Sequence, residues 1–256
     1  MSLTAIAGLP VRKVADTPLH INILIYGESG AGKTTLAGSS DEVPEMRKVL
    51  IIDIEGGVLS LKSRYPDVDS VRVRSWDDMQ KVYEELHQGG HGYNTIVIDS
   101  LTEAQKMSMD EVMRKLVAQH EERDADVPSI REWNINIEQT RKFVRAFRDL
   151  PVTTIFTALA RNDVNKRTGL SRTKPSLSGK VADEVAGFLD IVSYLYTKEV
   201  DGEQQRILLC GATQDTVAKD RTDKLGQVII RPSMIQIWNA VKETTENDNA
   251  SQSQLL

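Results

Sequence analysis

One octet constrains this chain more than any other feature: its sequence is GESGAGKT and it spans residues 27–34. It fits the phosphate-binding loop (P-loop) pattern G-x-x-x-x-G-K-[ST], in which glycines let successive backbone N–H groups point at phosphate oxygens. The apolar, β-branched run 21–26 predicts a strand before the octet, and residues 35–37 favour a helix after it. This context favours a phosphate-binding loop over a chance glycine-rich turn.

The loop predicts ATP and Mg²⁺ as cofactors. Lys33 is expected to reach the β- and γ-phosphates, and the Thr34 hydroxyl to ligate Mg²⁺. The helix after the loop adds the positive end of its dipole. The predicted nucleotide contacts are Gly27, Glu28, Ser29, Gly30, Ala31, Gly32, Lys33, Thr34 and Thr35.

Composition excludes several classes of protein. No apolar run approaches the roughly 18 residues that a membrane helix needs, so we expect neither export nor a membrane partner. The single cysteine, Cys210, cannot form an internal disulfide and lies beside two leucines, which favours a core thiol in a reducing cytoplasm. A net charge of -5 argues against a uniformly basic surface that coats nucleic acid, but leaves room for a local basic patch.

Strand-like and helix-like segments alternate, which predicts an α/β fold with a mostly parallel central sheet flanked by helices. The predicted strands are 21–26, 48–54, 71–73, 95–99 and 152–156, and the predicted helices are 76–88, 101–119 and 131–149. Strand-like runs at 190–199 and 205–210 flank Asp201-Gly202, which predicts an antiparallel hairpin extension near the C-terminus. We expect an N-terminal segment (1–20), one core domain (21–241) and a disordered polar tail (242–256).

Two acids complete the predicted chemistry. Asp99 ends an apolar strand, where a carboxylate can hold the Mg²⁺ shell opposite the P-loop hydroxyl; the alternative is a helix cap. Glu55 lies at the carboxyl end of the strand after the P-loop helix, where ligands bind in parallel sheets. It is therefore our candidate for orienting the water that attacks the γ-phosphate, with Asp53 as the alternative.

Four stretches together resemble a minimal RecA-type ATPase core: residues 27–35, 52–55, 95–100 and 218–221. More narrowly, they are similar to phage-encoded nucleotide-binding proteins grouped with RecA-like single-strand annealing ATPases, over roughly residues 20–235. The resemblance implies that Glu55 activates water and that Lys219 and Arg221 reach the γ-phosphate of a neighbouring subunit. It implies a homo-oligomer in the host cytoplasm, with single-stranded DNA and a single-strand-binding protein as partners. The alternative for Lys219 and Arg221 is a solvated charge cluster.

Residues 161–180 carry the predicted DNA site. They contain six cations against one acid, Asp163, and we expect Gly169, Pro175 and Gly179 to prevent regular structure, leaving a mobile basic loop. RecA-like proteins place a DNA-binding loop after the strand that corresponds to residues 152–156 here. The alternative is an ordinary solvated loop. The six cations are Arg161, Lys166, Arg167, Arg172, Lys174 and Lys180.

The chain departs from the family pattern after the strand at 152–156, because residues 157–160 offer no amide or imidazole to sense the γ-phosphate. Thr157 or Asn162 would have to substitute. Few aromatic residues flank the basic loop; Trp133 is a candidate for base stacking, although a core position is favoured for it.

These features predict a RecA-type ATPase that binds single-stranded DNA, hydrolyses ATP faster when DNA is bound, and promotes annealing during phage recombination. Two alternatives stay open. One is a small-molecule P-loop kinase in which residues 161–174 form a basic lid over the phosphates. The other is a non-catalytic protein in which ATP drives assembly or loading of a partner.

Overall fold

Twelve strands and six helices build the computed structural model, which describes residues 5–14, 17–164, 169–200 and 202–242. The strands are β1 (Ala5–Ile6), β2 (Leu9–Pro10), β3 (Asn22–Gly27), β4 (Val49–Asp53), β5 (Asp69–Arg72), β6 (Thr95–Asp99), β7 (Thr153–Val164), β8 (Ser171–Pro175), β9 (Ile191–Val200), β10 (Glu203–Leu209), β11 (Lys219–Asp220) and β12 (Val228–Ile230). The helices are α1 (Lys33–Gly38), α2 (Trp76–Gln88), α3 (Leu101–Gln119), α4 (Ile130–Arg148), α5 (Val181–Phe188) and α6 (234–242); short 3₁₀ helices cover Ser39–Glu42 and Val58–Ser60.

The main sheet has the strand order β12-β10-β9-β3-β7-β6-β4-β5. The six strands from β9 to β5 pair in parallel, whereas β10 runs antiparallel to both β9 and β12. β7 lies between β3, which leads into the octet, and β6, which ends in Asp99. The predicted α/β fold with a mostly parallel sheet and an antiparallel C-terminal hairpin is confirmed; Asp201, in the predicted turn, lies outside the described residues.

Both faces of the central strands β3, β4 and β6 are buried, which explains why these strands are continuous apolar runs. In β3, Leu24 and Tyr26 face α2, α3, α4 and α5, while Ile23 and Ile25 face α1 and α6. Cys210 is buried beside α6 in the second of these layers. Burial raises the pKa of its thiol to about 11, so the prediction of a core thiol is confirmed.

The segment predicted to be an irregular loop is a β-hairpin. β7 continues to Val164 and pairs antiparallel with β8, from Ala160 opposite Pro175 to Val164 opposite Ser171. Gly169 adopts a positive φ of 71°, and Pro175 ends β8, so these residues bound the strand instead of disrupting it. The prediction that residues 161–180 lack regular structure is therefore wrong, although 165–168 lie outside the described residues.

Regular structure is present in the predicted N-terminal segment and at the end of the predicted core domain. β1 and β2 form a small exposed hairpin, and α6 packs into the core through Met234, Ile237 and Trp238. The predicted disordered tail lies outside the described residues from position 243 onward. Within the part of the chain that the structure describes, no helix is long and apolar enough to span a bilayer.

Candidate nucleotide-binding site

Glycines determine the shape of the loop between β3 and α1. Gly30 and Gly32 have φ angles of 79° and 98°, which residues with side chains rarely adopt, and the Ala31 N–H donates to the Glu28 carbonyl at 3.2 Å. A Cβ on Gly27 would lie 2.2 Å from the Leu195 carbonyl oxygen of β9. The neighbouring strand therefore excludes any side chain where β3 enters the loop.

Lys33 begins α1 and is only 7% exposed. Its ammonium donates to the carbonyl oxygens of Gly27 at 3.1 Å and Glu28 at 2.9 Å, so the side chain curls back over the loop. Burial lowers the pKa of Lys33, and the negative charges of Glu55, Asp99 and Glu28 oppose this effect. Lys33 thus lies among acidic side chains and next to P-loop backbone N–H groups of the kind that bind phosphate.

Thr34 and Asp99 meet at the ends of their elements. The Thr34 hydroxyl donates to Asp99 Oδ2 at 2.8 Å, and the Thr157 hydroxyl of β7 donates to Asp99 Oδ1. Hydroxyl and carboxylate oxygens are ligands that Mg²⁺ prefers, so this pair fits the predicted ion. In the described residues no group of three or more His, Cys, Asp or Glu side chains could hold a metal.

Asp53 and Glu55, the two candidates for activating water, have different surroundings. Asp53 is buried; its Oδ1 accepts from the backbone of Gly56 at 2.7 Å and Gly57 at 3.1 Å, and its Oδ2 pairs with Arg72 at 3.1 Å. Its oxygens therefore hold the loop after β4.

Glu55 is exposed and accepts a hydrogen bond from the Ser100 hydroxyl. Its backbone N–H donates to the Asp99 carbonyl at 3.2 Å, which fixes Glu55 beside the carboxylate bonded to Thr34. The peptide bond between Asp99 and Ser100 is cis. Because both Asp53 oxygens are already bonded within the fold and Glu55 is exposed, Glu55 remains the better candidate for orienting a water.

Lys219 and Arg221 lie near the amino ends of the parallel strands, whereas the P-loop lies at their carboxyl ends. The Lys219 ammonium donates to the carbonyl oxygens of Ala186 and Leu189 at the end of α5, at 2.8 and 2.9 Å, and burial lowers its pKa. Arg221 pairs with Asp190 at 2.6 Å, and Asp190 also accepts from the Asn22 N–H at the start of β3. The P-loop begins after the other end of this six-residue strand, about 17 Å away.

Two arginines that the sequence analysis did not identify lie beside the P-loop. A Cβ on Gly32 would be 2.7 Å from the Arg206 Nε, so the β10 guanidinium lies against the loop. The Arg231 N–H donates to the Arg206 carbonyl at 2.8 Å. A cavity of about 490 Å³ opens here, large enough for the nucleoside part of a nucleotide. It is lined by Gly30, Thr197, Gln204, Gln205, Arg206, Arg231 and Pro232.

The predicted DNA contacts differ in exposure. Arg172 and Lys180 are exposed and Arg161 is half-buried, whereas Lys166 and Arg167 lie outside the described residues. Lys174 is buried, and its ammonium contacts Asp163 at 2.5 Å and Asp183 at 3.5 Å, so it is directed at acids within the fold.

Three further predictions concern side chains around the strand β7. Trp133 is 39% exposed, so the favoured core position is wrong. Of the two suggested γ-phosphate sensors, Thr157 is fully buried against Asp99. Asn162 accepts a hydrogen bond from the Thr173 hydroxyl at 2.9 Å within the hairpin.

The fold and the site define the class of this protein: it is a P-loop ATPase with a RecA-like core. Residues 19–222, well over half of the chain, match the AAA domain family (AAA_24). The chain belongs to that family. No curated protein matches the sequence.

Two solved structures resemble the fold. One is the KaiC-like protein PH0186 from Pyrococcus horikoshii OT3, with 15% identity and a TM-score of 0.45 over 83% of this chain and 89% of that chain. The other is an ATPase from the type III secretion system of pathogenic bacteria, with 18% identity and a TM-score of 0.46 over 69% of this chain and 52% of that chain.

Proposed function

We propose that this protein hydrolyses ATP with Mg²⁺ and couples hydrolysis to the binding of single-stranded DNA. One observation carries the proposal: β7 runs from the candidate metal site into the basic hairpin. Thr157 bonds to Asp99, and Arg161 follows four residues later on the same strand. A single strand therefore contacts both candidate sites.

Each residue of the candidate site has a separate role in the proposed hydrolysis. Lys33, which bonds to the loop carbonyls in the structure, would turn to the β- and γ-phosphates of a bound nucleotide, and Thr34 and Asp99 would hold a Mg²⁺ that neutralises charge on those phosphates. Glu55 orients a water whose oxygen attacks the γ-phosphorus as the bond to the β-γ bridging oxygen breaks, giving ADP and phosphate. Ser100, bonded to the Glu55 carboxylate, sets its position.

The β7–β8 hairpin and the residue before α5 contribute the DNA contacts. Arg161, Arg172 and Lys180 are open to solvent at least in part, and cations that neutralise phosphates bind a strand without reading its bases. Sequence-independent binding suits the pairing of any two complementary strands. We therefore assign the protein to single-strand annealing in phage recombination, as a homo-oligomer working with a single-strand-binding protein, on the resemblance of its sequence motifs.

The test is ATP hydrolysis measured with and without single-stranded DNA. We expect Mg²⁺-dependent turnover that rises with a single strand and much less with a duplex. Phosphate transfer to a small metabolite would instead indicate a kinase, and no turnover in either condition would indicate a binding switch.

A paired comparison of two variants assigns the DNA contact to the hairpin. Arg172→Ala should flatten the slope of log affinity for single-stranded DNA against log salt by about 0.7, because one phosphate contact is lost. Lys81→Ala removes an exposed cation on α2 and should leave the slope unchanged. Equal slopes in the two variants would contradict a DNA contact by Arg172.

A further inference from the structure

A second cavity, of about 580 Å³, opens beside the hairpin at the carboxyl edge of the sheet. We propose that this cleft, here the Trp133 cleft, binds a segment of single-stranded DNA by stacking a base on Trp133 and holding its phosphates with arginine and lysine. The inference rests on the proposed DNA-binding function and extends it to a new surface. The lining residues that carry the proposal are Arg72, Arg74, Gln105, Lys106, Trp133 and Arg161.

Unpaired donors mark this cleft as a binding site. Gln105 is only 5% exposed, and its Oε1 accepts from the Ser178 N–H at 2.7 Å. A backbone N–H can bond only to the amide oxygen, so the Nε2 group is the free end, and it has no partner although it is buried. The Nε of Arg161 is also buried without a partner. A buried donor without a partner costs free energy, and a ligand that supplies acceptor oxygens to both groups would remove this cost.

The charge of the cleft favours an anion. Four cations line it against two acids, Glu103 and Asp110. Lys106 is paired with Glu103 at 2.6 Å, while Arg161 is 3.7 Å from Asp163, and Arg74 has no ion-pair partner in the described residues. Arg74 and Arg161 are therefore the side chains most available to phosphate.

Trp133 adds an aromatic surface. It lies in the first turn of α4, which a capping box formed by Ser129 and Glu132 fixes. Trp76 and Trp238 are only 8% and 5% exposed, so Trp133 is the tryptophan that a ligand can reach. The cleft therefore combines an indole ring, unpaired N–H donors and cations, which suits a nucleotide unit. Every base has a face that stacks on an aromatic ring, and phosphate oxygens accept from the donors and pair with the cations.

The position of the cleft favours a strand over a free nucleotide. Arg161 belongs both to the cleft and to the basic hairpin, so a phosphate backbone can continue from one to the other. The cleft also adjoins the catalytic edge: Ile54, next to Glu55, lines it, and α3, which supplies Gln105 and Lys106, begins after Ser100.

Tryptophan fluorescence tests the proposal directly. Titration with an oligo(dT) of about 20 nucleotides should quench the emission, and Trp133→Phe should abolish the quenching while keeping most of the affinity. Trp133→Ala should lower the affinity by about 5- to 150-fold, the loss expected for one stacked base. Arg74→Ala should flatten the salt slope by about 0.7. Arg131→Ala, an exposed cation on the same helix outside the cleft, should change neither quantity.

Several results would overturn the inference. If the wild type binds DNA and Trp133→Ala binds equally well, the cleft is not on the DNA path, although the proposed function stands. If the wild type binds no single-stranded DNA, the proposed function itself fails. Quenching by dTMP as strong as by the oligonucleotide would indicate a small-molecule site, and loss of self-association in Trp133→Ala would indicate a subunit contact.

Discussion

Arg221 offers the sharpest test of hydrolysis between subunits, because its own P-loop is out of reach. The Arg221 backbone and guanidinium both bond to Asp190, at 3.0 and 2.6 Å, at the amino end of β3. The P-loop follows Gly27 at the other end of that strand, about 17 Å away, which is more than an extended arginine side chain spans. If Arg221 acts in hydrolysis, it must act on the nucleotide of a neighbouring subunit.

Removing the guanidinium should therefore stop hydrolysis without unfolding the protein. Arg221→Ala should lose DNA-stimulated turnover by about a thousandfold, the lower end of the range for an arginine that stabilises a transferring phosphoryl group. The Arg221 side chain is 55% exposed, and an ion pair of this kind contributes about 0–1 kcal/mol. The thermal unfolding midpoint should therefore stay close to that of the wild type.

Mixing two inactive variants then distinguishes action in trans from action in cis. In an equimolar mixture of Arg221→Ala and Lys33→Ala, about one quarter of head-to-tail interfaces pair an intact P-loop with an intact arginine, so about one quarter of the activity should return. Mixing Arg221→Ala with the double variant Lys33→Ala/Arg221→Ala creates no intact interface and should restore nothing. No recovery in the first mixture, with mixed oligomers demonstrated by cross-linking, would refute the reasoning, as would full activity of Arg221→Ala alone.

Three other perturbations test the nucleotide site and its link to DNA. Lys33→Ala should abolish hydrolysis and weaken ATP binding. Burial lowers the pKa of Lys33, and bound phosphates should raise that pKa again, so ATP binding to the wild type should take up a proton at alkaline pH below 10.5. Calorimetry in two buffers of different ionisation enthalpy measures this uptake. Unchanged turnover in Lys33→Ala, or heats independent of buffer, would contradict this role. Glu55→Gln should keep ATP and Mg²⁺ affinity while turnover falls at least about a hundredfold, or about 2.7 kcal/mol in barrier; a wild-type rate would exclude Glu55. Thr157→Val removes the hydroxyl bonded to Asp99 and should reduce the stimulation of hydrolysis by DNA. The control Thr140→Val loses a buried hydroxyl on α4 and should leave the stimulation unchanged. Equal stimulation in both variants would exclude coupling through β7.

Local patterns made most of the fold predictable. The octet requires positive φ at Gly30 and Gly32, and both residues have it. The strand predicted at 95–99 and the helices predicted at 76–88 and 101–119 have the observed bounds, because apolar runs and turn residues determine them locally. Buried parallel strands give the clearest pattern of all, since both of their faces are apolar.

Contacts distant in sequence account for what could not be predicted. Arg206 lies against Gly32 only because β10 pairs with β9, which in turn pairs with β3. The separate surroundings of Asp53 and Glu55 depend on hydrogen bonds to Arg72 and Ser100, which adjacent positions in the sequence do not reveal. Glycine and proline predict irregular structure at 161–180, whereas Gly169 precedes β8 and Pro175 ends it, because pairing with β7 determines the hairpin.

The strand β7 offers a physical basis for the proposed coupling between nucleotide and DNA. Asp99 is bonded on one oxygen to Thr34 of the P-loop and on the other to Thr157, three residues before the hairpin pairing begins at Ala160, so we expect a change at the candidate metal site to reach the hairpin through β7. Such coupling is reciprocal: if a bound strand alters ATP affinity by some factor, ATP must alter strand affinity by the same factor. A strand that pairs on both sides over its first half, and only with β8 beyond it, has a rigid base and a freer end. Under the proposed function, that arrangement would let ATP change the affinity for DNA while the strands that carry the P-loop keep their pairing.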